Sequence, residues 1–382
     1  MTVYRYINET DTSASYGLAA DEYLLDYHSG QNGHPATLRL YNYADYAVLA
    51  GRFQALEAEI DVEACRALGF GYSRRLTGGG AILMGRDQLG ICLATAAGTF
   101  AWEHVRDLYR LFSQPVIDAL AELGITATFR SKNDLEVNGK KIAGLGVHVS
   151  PSGSIQFHTS LLLDLDIDTM LQVLKIPLQK FSDKRKIASV RQRITTIRQE
   201  LGSAPSMPEL KMLISKHFAR AFGARFEEIP FNQKEKEAID QLETSRYNNE
   251  EWLFQRSPQA DMNGMSLKKT PAGLLRTYIA LKGETIKSVM ITGDFFEQAG
   301  LFSRIEAALK WSALDKEQIA KRVEDVFAEM SRQEGAVYGL TPEDVSRAVW
   351  LAAQRAMAAL RYTYKGSCYY PKEENQVLTA NR

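Results

Sequence analysis

Apolar residues recur every three or four positions in several stretches of the chain, and this spacing places them on one face of an α-helix. The clearest case is 102–123, where Val105, Leu108 and Phe112 share a face and Gly124 follows as a stop signal. The same spacing predicts further helices over 19–27, 61–68, 169–174, 208–222, 233–243, 301–309, 315–331 and 342–361.

Short apolar or alternating runs between these helices predict β-strands. They occupy 37–41, 46–50, 89–94, 274–281 and 285–291, and a longer β-rich stretch covers 125–165. Within that stretch, Asn138-Gly139 is a strong signal for a hairpin turn. Together the elements predict an α+β fold in which mixed and antiparallel sheets pack against helices.

A cluster of turn-forming residues between positions 256 and 269 interrupts this pattern. It predicts a catalytic domain over 1–256, a linker and hinge over 257–269, and a smaller C-terminal α+β domain over 270–382. No internal repeat is visible in the sequence.

The chain has 382 residues, with 46 lysines and arginines balanced by 46 aspartates and glutamates. Because the net charge is zero, broad attraction to nucleic acid or to an anionic membrane is not expected. The sequence shows neither the roughly 20 apolar residues of a membrane helix nor the apolar core of a signal peptide. Cys65, Cys92 and Cys368 lie far apart, which favours a cytoplasmic protein without a disulfide framework. We expect a monomer whose ligand is a small molecule or a protein.

The segment 74–81, Arg-Arg-Leu-Thr-Gly-Gly-Gly-Ala, is predicted to line an anion-binding site. Three consecutive glycines lack Cβ atoms, so their backbone amides can approach a ligand closely. Arginine side chains offer planar N–H donors that suit a phosphate or a carboxylate. Because successive residues of an extended segment point to opposite sides, only one arginine should reach the ligand, and Arg75 is favoured over Arg74.

A second motif, Asn133-Asp134-Leu-Glu-Val-Asn-Gly-Lys-Lys141-Ile-Ala-Gly144, places Lys141 two residues after the turn glycine. Preceded by the segment 74–81, it resembles the lipoate–protein ligases, which belong with the biotin ligases and octanoyltransferases. Further stretches resemble the family's motifs in the same order: Gly51-Arg52-Phe53-Gln54 with Glu59, His158 to Leu162, and Ser189-Val-Arg191-Gln-Arg193-Ile-Thr195. Positions 273–276 and 291–296 resemble the accessory domain that many of these ligases carry.

The resemblance implies a class II biotin ligase–like catalytic domain followed by an accessory domain. It also implies an enzyme that joins lipoate or octanoate to AMP from ATP, releases pyrophosphate, and passes the acyl group to a carrier lysine. The carrier would be a lipoyl domain, from the E2 component of a 2-oxoacid dehydrogenase or the glycine-cleavage H protein. Mg²⁺ would accompany ATP, and the acyl chain would enter an apolar tunnel.

Lys141 is the catalytic residue that the resemblance implies, since a positioned cation stabilises negative charge on the phosphate and acyl oxygens. Binding of acid and nucleotide is assigned to Arg74, Arg75, Thr77, Gly78, Gly79, Gly80, Ala81, Asn133, Asp134, Gly144, His158 and Ser160. Asn133 and Asp134 could instead cap the hairpin, and His158 could be a packed polar residue. No metal ligands are assigned.

Two positions depart from the family pattern, because Met84 stands where a histidine is frequent and Thr159 where a glycine is usual. Two other functions stay open beside the ligase. One is a transferase that takes an acyl group from an acyl-carrier donor and uses a cysteine thiolate of its own instead of ATP. Cys92, however, is predicted to be buried and inert. The other is a non-catalytic lipoate-binding protein, and a biotin ligase is the nearest alternative enzyme. Retention of Lys141 with both arginines favours a catalyst.

Overall fold

A computed structural model describes residues 2–30, 35–130, 133–175, 191–295, 300–333 and 339–362. Ser189, Val190, Phe296 and Cys368, which the sequence analysis considered, lie outside these ranges. The strands are β1 (Thr2–Thr12), β2 (Thr37–Tyr43), β3 (Ala47–Ala50), β4 (Gly71–Arg74), β5 (Ile82–Met84), β6 (Gln88–Ala96), β7 (Thr128–Arg130), β8 (Asp134–Val137), β9 (Lys140–Val149), β10 (Ser154–Leu162), β11 (Ala224–Glu228), β12 (Gly264–Lys269), β13 (Leu274–Lys282), β14 (Thr285–Gly293) and β15 (Ser312–Ala313).

The helices lie largely where the apolar spacing predicts them. They are α1 (Ala14–Tyr27), α2 (Leu56–Glu59), α3 (Val62–Leu68), α4 (Val105–Glu122), α5 (Ile167–Val173), α6 (Ile197–Leu201), α7 (Met207–Ala221), α8 (Gln233–Leu242), α9 (Glu250–Leu253), α10 (Leu301–Leu309), α11 (Lys316–Gln333) and α12 (Pro342–Tyr362), and a π-helical turn (Glu243–Tyr247) follows α8. Local capping explains several boundaries. Asp61 accepts a hydrogen bond from the backbone N–H of Ala64 at the start of α3, and Gly69 ends that helix in the left-handed conformation.

The chain divides into two compact units that do not follow a single cut in the sequence. The first contains the described residues up to Gln255, except for two short segments. Those segments, Phe53–Ala55 and Gly78–Gly80, group with the described residues from Arg256 onward in the second unit.

Eight strands form the large sheet of the first unit, in the order β11-β1-β2-β6-β10-β9-β8-β7. The strands β11, β1 and β2 are parallel to one another, and the other neighbours are antiparallel. One face of this sheet is apolar, and its Ile91 and Phe157 share a core with Phe112 of α4 and Phe218 of α7. Burial of this face against the two helices supplies the main hydrophobic core of the unit.

The opposite face of the large sheet carries polar side chains, because residues alternate between the faces of a strand. Arg39 of β2 and His158 of β10 both pair with Cys92 of β6, so the three residues share this face. Helix α1 packs here, and its Asp21 accepts from the Arg39 guanidinium at 2.7 Å. Most of the predicted site residues of the first unit lie on or beside this polar face.

A three-stranded sheet, in the order β4-β3-β5, brings in the segment 74–81. The strand β3 is parallel to β4 and antiparallel to β5. Arg74 pairs with Ala50 at the end of β4, and the chain re-enters this sheet as β5. The glycine triplet therefore lies in the connection between two strands of one sheet.

The second unit contains an antiparallel sheet in the order β12-β13-β14-β15. Helices α10, α11 and α12 bury their apolar sides against it, and Ile291, Phe302, Val323 and Val349 are members of the resulting core. A side-chain hydrogen bond of 2.6 Å from Ser266 to the Ala348 carbonyl oxygen also joins β12 to α12.

The predicted α+β architecture is confirmed, with helices packed on sheets in both units. The hairpin at Asn138 and Gly139 is also confirmed, and both residues have the positive φ that a tight two-residue turn needs. Residues 264–269, however, form the strand β12 rather than part of the predicted linker. The strand packs closely on α12 at Gly264, and this contact requires glycine, because a Cβ there would come 2.4 Å from the Ala352 carbonyl oxygen. Among the described helices, none combines the length and apolar character needed to cross a bilayer.

Candidate active site

Lys141 lies near the start of β9, where a β-bulge changes the direction of its side chain. Pairing with β8 steps from Leu135–Ala143 to Glu136–Lys141, so Ile142 is the extra residue. Ile142 and Ala143 both lie in the main core of the first unit. Strict alternation would place Lys141 on the same side as Ala143, and the bulge instead turns it to the opposite side.

The Lys141 ammonium lies over Gly144 and beside Asp134. Its Nζ is 2.7 Å from Asp134 Oδ1, a close ion pair whose geometry is not that of an aligned hydrogen bond. The lysine and aspartate side chains are 33% and 31% exposed, so both can be reached by a ligand. A Cβ on Gly144 would approach Nζ to 2.9 Å, which explains why this position has no side chain. Ser160 pairs with Gly144 across β10 and adds a hydroxyl to the same area.

Asn133 joins the two strands of the hairpin. Its carbonyl oxygen accepts from the Leu145 amide at 2.7 Å, and its side-chain amide donates to the Leu145 carbonyl oxygen at 3.5 Å. These contacts show the structural role that the sequence analysis kept as an alternative for Asn133. Contact of Asn133 with a ligand stays a prediction.

The guanidinium of Arg74 is fully buried and donates to backbone carbonyl oxygens. The acceptors are Gly51, Arg52, Trp252 and Leu253, at 2.6–3.0 Å. These bonds hold three separate segments of the first unit together. We therefore attribute a structural role to Arg74, and its predicted contact with a ligand has no support in this geometry.

Arg75, in contrast, lines a cavity of the first unit. Its Nη1 donates to the Leu49 carbonyl oxygen at 2.7 Å, and the residue is 6% exposed. Burial lowers the pKa of Arg75 to about 10, an effect partly offset by Tyr43 and Tyr41. The guanidinium is therefore charged at neutral pH, and it shares the lining of the cavity with the carboxyl group of Asp21.

Thr77 and His158 are joined by a hydrogen bond of 2.7 Å between Oγ1 and Nε2. Burial, reinforced by the positive charge of Arg75 and by His148, lowers the pKa of His158 to about 3. The imidazole is thus neutral at pH 7, and its tautomer decides which partner donates. The ring is seated over Gly146, where a Cβ would lie 2.1 Å from Nε2.

Several polar residues that the sequence analysis did not select belong to the same area. Gly146 and His148 continue the face of β9 that carries Gly144, and burial followed by the charge of Arg52 lowers the pKa of His148. Glycines at every second position, opposite polar residues at every second position of β10, were a signal that could have identified this face. Gln156 of β10 belongs to this alternating series, because it pairs with His148. The sequence alone offered no corresponding signal for Asp21, which comes from α1.

The cavity beside Arg75 has about 10 Å³ of free space, room for roughly one water molecule. Leu18 and Leu76 are its apolar members. The other lining residues are Asp21, Arg75, Thr77, Gln156, His158 and Tyr247. A cavity of this size, lined mostly by polar residue types, is not the apolar tunnel that the resemblance implied. An eight-carbon acyl chain would need side chains to move or a different path.

The glycine triplet belongs to the second unit together with Phe53–Ala55. Gly79 has φ +92°, and its amide donates to the Phe295 carbonyl oxygen at 3.3 Å. The Phe53 ring stacks on Phe295 with a centroid distance of 5.5 Å, and its carbonyl oxygen accepts from the Gly293 amide. A ligand that uses the Gly79 amide must therefore replace a bond within the protein. Ala81, in contrast, is partly buried against a core of the first unit.

Both cysteines within the described residues, Cys65 and Cys92, are buried free thiols. Burial raises the pKa of Cys65 to about 11 and that of Cys92 well above its usual value. Both are therefore thiols rather than nucleophilic thiolates at neutral pH, and the predicted burial of Cys92 is confirmed. Met84 is also buried, in the apolar core that contains Tyr41, and thus fills space at the position where the family often has histidine.

Over the described ranges, the structure contains no group of three or more His, Cys, Asp or Glu side chains arranged to hold a metal ion. Asp134, next to Lys141, is a single carboxylate that could serve as one ligand. One or two carboxylates combined with substrate phosphates are the usual protein contribution to a Mg²⁺ site. The residues present are thus compatible with a magnesium ion that arrives with a nucleotide.

Comparison with known proteins gives relatives of two kinds, and the matches cover almost the whole length of each relative. Over 320 residues the chain is 28% identical to lipoate-protein ligase LplJ of Bacillus subtilis, covering 84% of this chain and 93% of that protein. It is also 27% identical over 277 residues to octanoyltransferase LipM of Geobacillus kaustophilus, covering 66% of this chain and 99% of the relative. Among solved structures, a bi-partite lipoate protein ligase from Thermoplasma acidophilum, reported with its E2 lipoyl domain, superimposes with a TM-score of 0.60. It is 26% identical and covers 68% of this chain and 98% of that one.

Two family models account for most of the chain. Residues 260–345 match the model of the bacterial lipoate protein ligase C-terminus. Residues 13–219, more than half of the chain, match the model of the lipoyl protein ligase A/B catalytic domain, and the chain therefore belongs to that family.

Proposed function

We propose that this member of the lipoate ligase and octanoyltransferase family is an ATP-dependent lipoate–protein ligase. The observation that carries the proposal is the placement of Lys141. Its ammonium is partly exposed and positioned between Asp134 and Gly144, on the opposite side from the main core. A fixed cation suits a reaction in which negative charge develops on phosphate and acyl oxygens.

In the first step, a carboxylate oxygen of lipoate or octanoate attacks the α-phosphorus of ATP, and the bond to pyrophosphate breaks. The product is a mixed anhydride of the acid and AMP. Lys141 would lie against the α-phosphate and the acyl carbonyl oxygen, where its charge is most useful in the transition state. Magnesium bound to the phosphates would neutralise part of their charge, with Asp134 as a protein ligand for it.

The acid would be held by Arg75, Thr77 and His158. The guanidinium of Arg75 is charged and almost fully buried, and so offers a strong charge-assisted hydrogen bond to a carboxylate. With its Nε2 protonated, His158 donates to Thr77, and the Thr77 hydroxyl is then free to donate to the acid.

In the second step, the ε-amine of a lysine on a lipoyl carrier domain attacks the acyl carbonyl, and AMP leaves. The carrier would be an E2 lipoyl domain or the glycine-cleavage H protein. The bi-partite ligase of Thermoplasma acidophilum supports this choice of partner, because it was studied together with its E2 lipoyl domain. We further propose that the chain acts as a monomer.

An octanoyl or lipoyl transferase is the second candidate, and the match to octanoyltransferase LipM favours it. Such an enzyme would form a thioester on a cysteine and would not need ATP. Cys65 and Cys92 are poor candidates for that role, because their burial disfavours the reactive thiolate.

Pyrophosphate release with lipoate, octanoate or biotin, each with and without ATP and a lipoyl domain, separates these functions. The ligase requires ATP-dependent release with lipoate or octanoate, and Lys141→Ala should slow it by roughly 10²–10³. Cys92→Ser should retain full activity. Acyl transfer from an acyl-carrier thioester without ATP would establish the transferase, and binding without turnover would indicate a lipoate-binding protein.

A further inference from the structure

The backbone of Lys141 is bridged to a segment that the proposed function does not otherwise use. The Lys141 amide donates to the Arg193 carbonyl oxygen at 2.8 Å. The Thr195 amide in turn donates to the Lys141 carbonyl oxygen at 2.9 Å. Ile194 thus pairs with Lys141 as an isolated parallel bridge. Both polar groups of the Lys141 backbone are satisfied by this one segment.

The bridge replaces a neighbouring strand at the point where the sheet ends. Pairing between β9 and β10 stops at Ala143, which faces Leu161. Beyond that point the side of β9 that β10 would occupy is taken by residues 193–195. The bridge therefore coincides with the bulge at Ile142, where Lys141 is turned away from the core. A bulged strand is locally disrupted, so a second support at this position restricts its conformations.

The bridging segment is itself anchored to the body of the first unit. The Thr195 hydroxyl donates to Glu200 Oε1 at 2.5 Å, and Thr196 caps α6 by accepting from the Gln199 amide. Ile197 of α6 is buried in the main core. The segment is therefore tied to a packed helix, although Arg193 itself is exposed.

We infer that residues 193–195 are a positioning element for Lys141, and that Thr195 acts on the adenylation step only through that lysine. This inference rests on the proposed function. The bridge keeps the bulge in the form that directs the ammonium toward Asp134 and Gly144. Loss of the bridge would let the backbone relax, and a displacement of about 1 Å is enough to slow a positioned reaction substantially.

Substitutions at Thr195 separate the backbone bond of the bridge from the side-chain bond that anchors the segment to Glu200. Thr195→Pro removes the N–H that donates to Lys141, and we expect it to lower the kcat of pyrophosphate release by about tenfold or more. Thr195→Val keeps the N–H and removes only the hydroxyl bond to Glu200, so a loss of about two- to fivefold is expected, with recovery in Thr195→Ser. The KM for the acid should stay within about twofold of wild type in all variants, because Arg75, Thr77 and His158 are untouched.

Thr159→Val is the matched control, since Thr159 is also a buried threonine and its hydroxyl has no hydrogen-bond partner within the described part of the chain. It should retain wild-type kcat. Urea unfolding verifies that each variant is folded. If Thr195→Pro does not fold, Thr195→Val still tests the inference.

The decisive comparison repeats the Thr195 substitutions in a Lys141→Ala background. If Thr195 acts through Lys141, they should have no further effect on kcat there, within about twofold. A full multiplicative loss in that background, or a change confined to KM, would contradict the positioning role while leaving the proposed function intact. A wild-type rate for Lys141→Ala alone would instead contradict the proposed role of Lys141 and the inference with it.

Discussion

At the scale of single residues, His158 shows how burial changes the chemistry of a side chain. Its pKa of about 3 lies below the ordinary 6.5, so the folded protein keeps it neutral where the unfolded chain is protonated. The stability that depends on neutral His158 is complete above pH 6.5 and is lost as the pH falls toward 3.

We therefore predict that His158→Asn flattens the acid limb of the stability curve. Between pH 6 and 4 the unfolded state binds one more proton than the folded state, which gives a slope of about 1.4 kcal/mol per pH unit. The difference in unfolding free energy between wild type and His158→Asn should shrink by that slope as pH falls, measured by urea denaturation. A difference independent of pH would show that His158 titrates normally in the folded protein.

Gly146 permits a second prediction at the same scale. A Cβ at this position would lie 2.1 Å from His158 Nε2, so Gly146→Ala must displace the imidazole from Thr77. We expect a loss of roughly 1–3 kcal/mol in the free energy of unfolding, as for other overpacked sites. Adding His158→Ala should recover part of that loss, because the clash is removed.

Gly98→Ala is the control for this pair, since a Cβ there meets open space and the backbone needs no positive φ. If the two site substitutions prove additive, contact between Gly146 and His158 is not the cause.

At the scale of secondary structure elements, α7 carries a lysine in an unusual environment. Lys211 is 2% exposed, and its ammonium donates to the Glu9 carbonyl oxygen at 2.6 Å and to Asn42 Oδ1 at 3.1 Å. Burial lowers its pKa to about 8, and Asp11 partly opposes this shift. Protonated Lys211 therefore destabilises the packing of α7 on β1 and β2.

We predict that this cost disappears as pH rises through 8 toward 10.5, because the unfolded chain then binds more protons than the folded one. The unfolding free energy of wild type, relative to Lys211→Met, should rise by about 1 kcal/mol per pH unit between pH 8.5 and 9.5. Lys216→Met is the control for loss of a lysine from the same helix, because that side chain is 60% exposed. An unchanged difference for Lys211→Met would mean that water reaches the ammonium.

Elements with a strong local signal could be predicted from the sequence, and those that depend on a partner could not. The helix α10 has the bounds that its apolar spacing predicts, and the Asn138-Gly139 turn has the expected backbone. The strand β12 was not predicted because its Gly264 indicated a turn. In the structure, that glycine permits close packing on α12. The edge strand β11 was missed as well, since its residues are mostly exposed and lack an apolar alternation.

At the scale of the whole molecule, the second unit includes a piece of chain from far upstream. Phe53 contributes a ring stacked on Phe295, and its carbonyl oxygen accepts from the Gly293 amide at 3.0 Å. We predict that Phe53→Ala lowers the stability of the second unit by about 1–2 kcal/mol, since an aromatic pair and part of a buried side chain are lost.

Hydrogen exchange provides the measurement, with faster exchange expected for the β13 and β14 amides and unchanged exchange for those of β6 and β10. Phe70→Ala is the matched control, because Phe70 is a partly buried ring that packs at a tilt against Tyr46 in the first unit. If Phe70→Ala accelerates exchange in β13 and β14 equally, Phe53 is not a specific part of the second unit.

The sequence by itself determined the class of protein, because residue types and spacing carry the family's motifs: the glycine triplet, Lys141 after its hairpin, and the order of the helices and strands. Simple alternation also indicated that only one of Arg74 and Arg75 would reach a ligand, and Arg75 was favoured without alternation deciding between them. Alternation could not reveal that Arg74 donates to four backbone carbonyl oxygens, because the two acceptor segments, 51–52 and 252–253, come next to Arg74 only when the chain folds.

The tertiary structure alone decided the direction of Lys141 and the surroundings of the proposed acid site. A bulge at Ile142 and the bridge from residues 193–195 turn the lysine away from the core, against the period of two that its strand otherwise follows. The lining of the cavity beside Arg75 includes Asp21 and Gln156 because α1 and β10 bring them to it from distant parts of the chain. Local sequence specifies which residues are available, whereas their directions and pKa values depend on the segments that pack around them.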